Sequence, residues 1–445
     1  PLGLAWIAAV LEQEGYDVSI IDSPTLQLSE QDFIYMLRKE KPDVVGITSI
    51  TPTIYKAYRA AEIIKEIYPE IPIVVGGPHV TFMYDEALSK KYIDFVVLGE
   101  GEYTMLELVK TLERHGVNYE ILKSVKGIAF KMPSGETVIT PPRPPIHDLN
   151  KLPKPARHLL PMDKYTFLNK PVRILHVMAS RGCPYGCVYC STSYFWGRRV
   201  RFRDPELVVD EIEEGVYKYK VSHIAFTDDE FTIIKPWVLK FVEEVKRRKL
   251  DISFSCGSRV DHVDDEILKS LKSVGCSALY FGVESANQES LDRIGKRITV
   301  SQVIKAFEKS KNAGIEAVGS FILGFPWETI DDMKRTIKFS MKLKPSYAQF
   351  TVLTPYPGTP IFKIALKDKL IEDWNWENYT TLRAVMRGYH FTRKQLQKML
   401  TYAYRKFYAR LGFLWEQIKK KRLLIILGVI KNNILPWLLS PLKRH

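Results

Sequence analysis

Three cysteines carry the chemistry of this chain: Cys183, Cys187 and Cys190, within Ser180-Arg181-Gly182-Cys183-Pro184-Tyr185-Gly186-Cys187-Val188-Tyr189-Cys190. Thiolates at C-x3-C-x2-C spacing ligate three corners of a cubane 4Fe–4S cluster and leave the fourth iron open, unlike the four-cysteine sets of electron-transfer clusters. An open iron can chelate an amine and a carboxylate and pass an electron into the molecule that bears them. Glycines at 182 and 186 let the backbone wrap closely around such a group. The alternative is a zinc knuckle, whose ligands normally come as two CxxC-like halves; the sequence holds no second half. The other two of the five cysteines, Cys256 and Cys276, read as small buried residues.

The segments that must place those thiols form a run of alternating strands and helices. Six strand candidates lie at 174–179, 223–227, 252–255, 278–283, 317–323 and 348–353, each followed by a helical pattern. Six consecutive βα units over residues 171–360 predict a partial (β/α)6 barrel with its site at the carboxyl ends of the strands. The cysteine loop follows the first of them. Asp228, Asp229 and Glu230 follow the second, where carboxylates and carbonyls can accept hydrogen bonds from a ligand ammonium. Ser255 and Arg259 close the third, and the guanidinium can pair with a ligand carboxylate. Glu284 and Ser285 end the fourth, and Gly324 ends the fifth, inside Gly319-Ser320-Phe321-Ile322-Leu323-Gly324-Phe325-Pro326-Trp327-Glu328.

An earlier alternation occupies residues 1–125, with strand candidates at 18–21, 44–49, 73–75 and 95–98 and helices between them. This pattern predicts a Rossmann-like parallel α/β domain, its sheet covered on both faces. A strand ahead of the first helix is expected and not seen. Ligands of such domains sit beyond the carboxyl ends of the strands. Here those ends carry Ser49 and Thr51, then Gly76, Gly77 and His79, then Gly99 and Glu100. Small residues there admit a bulky planar ligand or its nucleotide tail. No GxGxxG is visible, which argues against a nicotinamide fold. Residues 126–170 read as a short hairpin around Pro133-Ser134-Gly135 and a Pro-rich linker.

The net charge of +14 is concentrated at the end of the chain: between Arg405 and His445 ten Lys or Arg face one acid, Glu416. Residues 361–445 read as a helical, basic and aromatic region. Its apolar runs at 423–429 and 434–439 are too short to span a bilayer but suit an interfacial segment with snorkelling basic ends. We therefore expect a protein that is cytoplasmic in its bulk, peripheral at the inner face of the membrane, and not a nucleic-acid binder.

A C-x3-C-x-aromatic-C loop after the first strand of a βα barrel resembles the radical S-adenosylmethionine superfamily. The resemblance implies that the cluster reductively cleaves S-adenosylmethionine to methionine and a 5′-deoxyadenosyl radical, which abstracts hydrogen from an unactivated carbon. In that family Gly-Gly-Glu stands where Asp228-Asp229-Glu230 stands here, and 319–328 matches the adenine-side motif. The opening Pro1-Leu2-Gly3-Leu4, with VVGGPHVTF and VVLGEGE, is similar to the cobalamin-binding domain fused ahead of many such barrels. The Asp-x-His-x-x-Gly motif is absent, so His79 is expected to line the pocket and cobalamin to be held without a histidine below the metal. Enzymes of this layout act on hopanoid and tetraether lipids and on tetrapyrroles. The expected function is methylation or carbon–carbon bond formation on an apolar, membrane-lipid substrate, with a ferredoxin or flavodoxin as electron donor. A tetrapyrrole cyclase and a non-catalytic cobalamin sensor are the alternatives; a sensor would not need the three-cysteine loop.

Overall fold

The computed structural model describes residues 1–167, 170–410, 412, 413 and 415. Short β-branched runs build the first sheet. β1 (Val45–Thr48), β2 (Ile73–Gly76) and β3 (Phe95–Val97) pair in parallel. Their alternation divides two cores: Ile73, Val75 and Val96 join the cluster that holds Ile54, Ala57, Ala61 and Ile64 of helix Ile54–Ile67. Val74, Phe95 and Val97 turn to Met105, Leu108 and Leu112 of helix Glu102–His115. A strand with period-two side chains buried on both faces requires this layering. Residues 18–21, expected as a strand, belong to no sheet; Val18 and Ile20 pack as connecting chain. The hairpin β4 (Ile128–Lys131) and β5 (Thr137–Ile139) is present, but it pairs antiparallel with β3 and so extends the first sheet to five strands instead of standing in the linker.

After the linker, β6 (Thr166–Phe167) and β7 (Lys170–Val177) open the second sheet. A two-stranded ribbon, β8 (Ser180–Arg181) with β9 (Arg201–Phe202), interrupts it. The parallel series then resumes with β10 (His223–Phe226), β11 (Phe254–Ser258), β12 (Cys276–Glu284), β13 (Glu316–Leu323) and β14 (Tyr347–Val352). The order β14-β13-β12-β11-β10-β7-β6 gives six parallel strands with β6 added antiparallel at one edge. This is the expected partial barrel. Capping boxes start two of its later helices, Thr299 with Gln302 and Thr329 with Asp332. Cys256 and Cys276 are buried on the neighbouring strands β11 and β12, as expected.

Helix Arg393–Tyr408 covers β14, burying Leu396, Leu400, Ala403 and Phe407, while Tyr404 and Tyr408 donate to the carbonyls of Phe350 and Ala348 at 2.9 and 2.8 Å. The segment before that helix turns back to the first sheet. Trp376 donates from Nε1 to Glu86 at 2.9 Å and stands edge-on to His79, ring centroids 5.1 Å apart. Gly358, at φ +83°, lies so close to the Phe82 ring that a Cβ would come within 2.4 Å of it. The apolar runs at 423–429 and 434–439 lie outside the described residues, among which no helix is long and apolar enough to cross a membrane.

Two glycines of the first sheet separate strain from collision. Gly77, at φ +107°, has the Ser49 carbonyl 2.4 Å from where a Cβ would stand; Gly99, at φ +74°, has open space. Gly99→Ala should cost only the left-handed backbone penalty, roughly 1–2 kcal/mol. Gly77→Ala must also push the β1 end away and should cost several kcal/mol, roughly 3 or more. Denaturant midpoints of the two variants check the order.

Candidate functional site

The cysteine loop spans residues 182–200 and is closed by the β8–β9 ribbon, in which Arg181 stands opposite Arg201. Two sets of carboxylates hold this root. From the barrel side, buried Asp228 accepts from the Ala179 amide at 3.1 Å and from the Ser180 hydroxyl at 2.5 Å. From the first domain, Glu102 accepts from Arg181 Nη2 at 2.5 Å, and Glu100 meets Arg181 at 3.2 Å and Arg201 at 2.6 Å. The Arg181 guanidinium lies between the rings of Trp6 and Trp196, 4.9 and 4.8 Å from their centroids. Removing one member of such a buried set strands the opposite charge at a cost of about 3–5 kcal/mol.

Within the loop, Gly182 at φ +97° packs so near the Arg199 carbonyl that a Cβ would fall 2.4 Å from it. Cys187 is buried, its Sγ 3.8 Å from the Gly295 carbonyl, and Cys183 and Cys190 are half-buried. Burial pushes the Cys183 thiol up to about 11 and raises Cys187 and Cys190 as well. Neighbouring thiols add to the shift at Cys183 and Cys187, so the three sulfurs share one electrostatic environment. Such a donor set gives up its protons as metal enters. Among the described residues no three of His, Cys, Asp and Glu converge tightly enough to cage one metal ion. The motif itself supplies three thiols, the number that holds a 4Fe–4S cluster with one open iron.

The structure gathers the strand-end residues around this loop, with most of their side chains engaged. Asp229 accepts from Thr192, and burial raises it to about 6; Asp228, raised chiefly by burial, reaches about 7. Glu230 accepts from Thr232 at 2.9 Å and lies 3.4 Å from His262. Arg259 forks onto Asp261 at 2.9 Å through both nitrogens and covers the Tyr185 ring at 3.5 Å. Ser255 meets His223 at 3.1 Å. Glu284, at φ +63° on a β12 bulge, folds back over Gly282 to pair with Lys296 at 2.7 Å. Ser285 donates to Glu328 at 2.9 Å, and Gly324, at φ +90°, turns beneath Leu396. The carbonyls of Asp228 and Asp229 face Gly257, whose missing Cβ would stand 3.3 and 4.0 Å from them.

In the first domain, Ser49, Thr51, Gly76, Gly77 and His79 cluster at the ends of β1 and β2. His79 is 1% exposed; its Nδ1 meets Thr51 Oγ1 at 3.1 Å and its Nε2 has no partner. Burial lowers its pKa to about 4, so the ring is neutral. Gly99 donates its amide to Thr81 at 3.1 Å. The Glu100 carboxylate, expected toward cobalamin, is committed to Arg181, Arg201 and the Ile146 amide instead. Sequence reasoning passed over Arg181, Arg201 and Lys296. Arg181 adjoins Gly182-Cys183, but its partners are about eighty residues away, and spacing alone does not join them.

Two outcomes follow from this geometry. Replacing Cys183, Cys187 or Cys190 with Ala should abolish iron incorporation and 5′-deoxyadenosine formation, whereas Cys256→Ala and Cys276→Ala should retain both; iron analysis and product chromatography decide. Glu328 is buried, and burial raises its pKa from 4.5 to about 7. The folded state therefore keeps a proton that the unfolded chain gives up, and stability falls as pH rises from about 4.5 to about 7. Glu328→Gln removes that loss, so its stability relative to the parent should climb across this window by roughly 3 kcal/mol at most.

Comparison with known proteins agrees with the two-domain geometry. Residues 177–340 match the radical SAM superfamily, and residues 1–109 match the B12 binding domain. An uncharacterized methyltransferase of Pyrococcus horikoshii is 41% identical over 97% of this chain and 93% of its own length. The anaerobic magnesium-protoporphyrin IX monomethyl ester cyclase of Rubrivivax gelatinosus is 35% identical over 97% of this chain and 78% of its own. More distant is the hopanoid C-3 methylase of Methylococcus capsulatus, 27% identical over 81% and 67% of the two chains. Among solved structures, the radical S-adenosylmethionine methyltransferase TsrM of Kitasatospora setae, with cobalamin and a 4Fe–4S cluster bound, superposes with a TM-score of 0.68 over 82% of this chain and 72% of that one; at 21% identity this is a likeness of fold. With its three-cysteine loop on a partial barrel and a B12 domain docked against that loop, the chain belongs to the cobalamin-binding radical S-adenosylmethionine enzymes, whose cofactors are a 4Fe–4S cluster, S-adenosylmethionine and cobalamin.

Proposed function

We propose that this enzyme transfers a methyl group to an unactivated carbon of an apolar small molecule, in the first instance a membrane lipid. The observation that carries the reading is the Glu100–Glu102 loop, which ties the cobalamin-binding half to both ends of the cysteine loop. Two cofactors held in that way serve one substrate. When bound, the cluster delivers an electron to S-adenosylmethionine, and cobalamin carries the methyl group. The chain's own residues do the rest. Cys183, Cys187 and Cys190 leave one iron open, the Asp228 and Asp229 carbonyls offer acceptors to an ammonium, and the paired Glu284 and Lys296 present no uncompensated charge under the loop. Cobalamin would lie beyond the carboxyl ends of the first sheet, near Gly76, Gly77 and neutral His79. A low-potential ferredoxin or flavodoxin is the expected electron donor.

A lipid substrate is supported by the basic, aliphatic sequence of residues 419–442 and by the hopanoid methylase among the relatives. Tetrapyrrole ring closure is the second reading, favoured by 35% identity to a magnesium-protoporphyrin ester cyclase. Anaerobically reconstituted enzyme, given a membrane-lipid extract or magnesium-protoporphyrin ester and followed by mass spectrometry, separates the two. A lipid that gains one CH2 is the expected outcome. Ring closure of the porphyrin ester without added carbon would establish the second reading. Abundant 5′-deoxyadenosine with every lipid unchanged would reject lipid methylation.

A further inference from the structure

We propose that Arg181 is a positioning residue that fixes the cobalamin-binding domain relative to the cluster loop, with Arg201, Glu100 and Glu102 completing the device. Its members come from both halves of the chain. Glu100 and Glu102 stand at the turn between β3 and helix Glu102–His115 of the first domain, and Arg181 and Arg201 stand opposite each other on the ribbon that closes the cysteine loop. Each guanidinium reaches Glu100, and Arg181 also reaches Glu102. The indole of Trp6, from the first helix, and that of Trp196, inside the cysteine loop, close on the two sides of Arg181. Arg201 adds donations to the carbonyls of Ile146 in the linker and Trp196, at 2.7 and 2.9 Å. Two carboxylates face two guanidiniums, so the set is neutral, and every side chain in it is at most 7% exposed.

Domains joined by a linker move relative to each other unless their interface forbids it. Here a rotation of the first domain would pull four charges out of pairing in a place that water does not reach. Lysine cannot substitute, since it lacks the planar fork that meets two carboxylates and stacks on two rings.

The proposal rests on the assignment of residues 1–109 to cobalamin. Its test needs no methyl acceptor and so stands apart from the proposed reaction. Arg181→Lys is loaded with cluster and cobalamin, both are reduced to paramagnetic states, and the spin–spin distance between cobalt and cluster is measured by pulsed electron paramagnetic resonance. The parent should give one narrow distance. Arg181→Lys should bind both cofactors and cleave S-adenosylmethionine near the parent's rate, with a broadened or displaced distance distribution. Loss of cobalamin with the cluster retained also supports the proposal, because the altered residue lies in the barrel half. A parent-like distance overturns it, as does loss of the cluster alone with cobalamin in place. Should Arg181→Lys not fold, Glu102→Gln, which leaves Arg181 stacked and paired to Glu100, takes its place, and a parent-like distance in that variant overturns the proposal equally.

Discussion

Two guanidiniums and two carboxylates meet without water at the root of the cysteine loop, and the layout of the molecule follows from keeping them paired. Arg181 and Arg201 come from the ribbon, Glu100 and Glu102 from the first domain. Buried ion sets add little to stability against an apolar alternative, yet losing one partner is expensive. Their worth lies in specifying one arrangement. In the folded chain the turn after β3 lies against the root of the cysteine loop.

The same economy governs the strand ends. A row of acidic residues after β10 would suggest side chains offered to a ligand. The folded chain engages them itself: Asp228 on Ala179 and Ser180 at the root of the loop, Asp229 on Thr192 within it, and Glu230 on its near neighbour Thr232. Carboxylates at a strand end thus serve the chain's own amides and hydroxyls first.

The cysteine spacing, the six βα units and the glycine-rich strand ends were legible because each is a local pattern. Thiols four and three residues apart, or a strand period of two, leave a mark on neighbouring positions. The residues 18–21 looked like a strand by composition, but a strand exists only with a neighbour to pair with, and the chain gives no sign of which neighbour that is. Arg181, Arg201 and Lys296 were invisible for the same reason: their meaning comes from partners brought close by the fold. Glu100 was singled out, but its carboxylate's partners Arg181 and Arg201 were not, since an acidic residue at a strand end carries the same sequence signature whether it meets a ligand or a neighbouring domain.

Trp376 and Gly358 close the chain on itself, docking the region after the barrel onto Phe82, Glu86 and His79 of the first sheet. A ribosome makes these two surfaces almost three hundred residues apart. The nascent first domain therefore carries His79 uncovered, with its cradle one wall short, through the synthesis of the entire barrel. Long sequence separation of this kind is what slows folding. The contacts of Trp376 and Gly358 with the first domain can therefore form only once the whole barrel between them has been made.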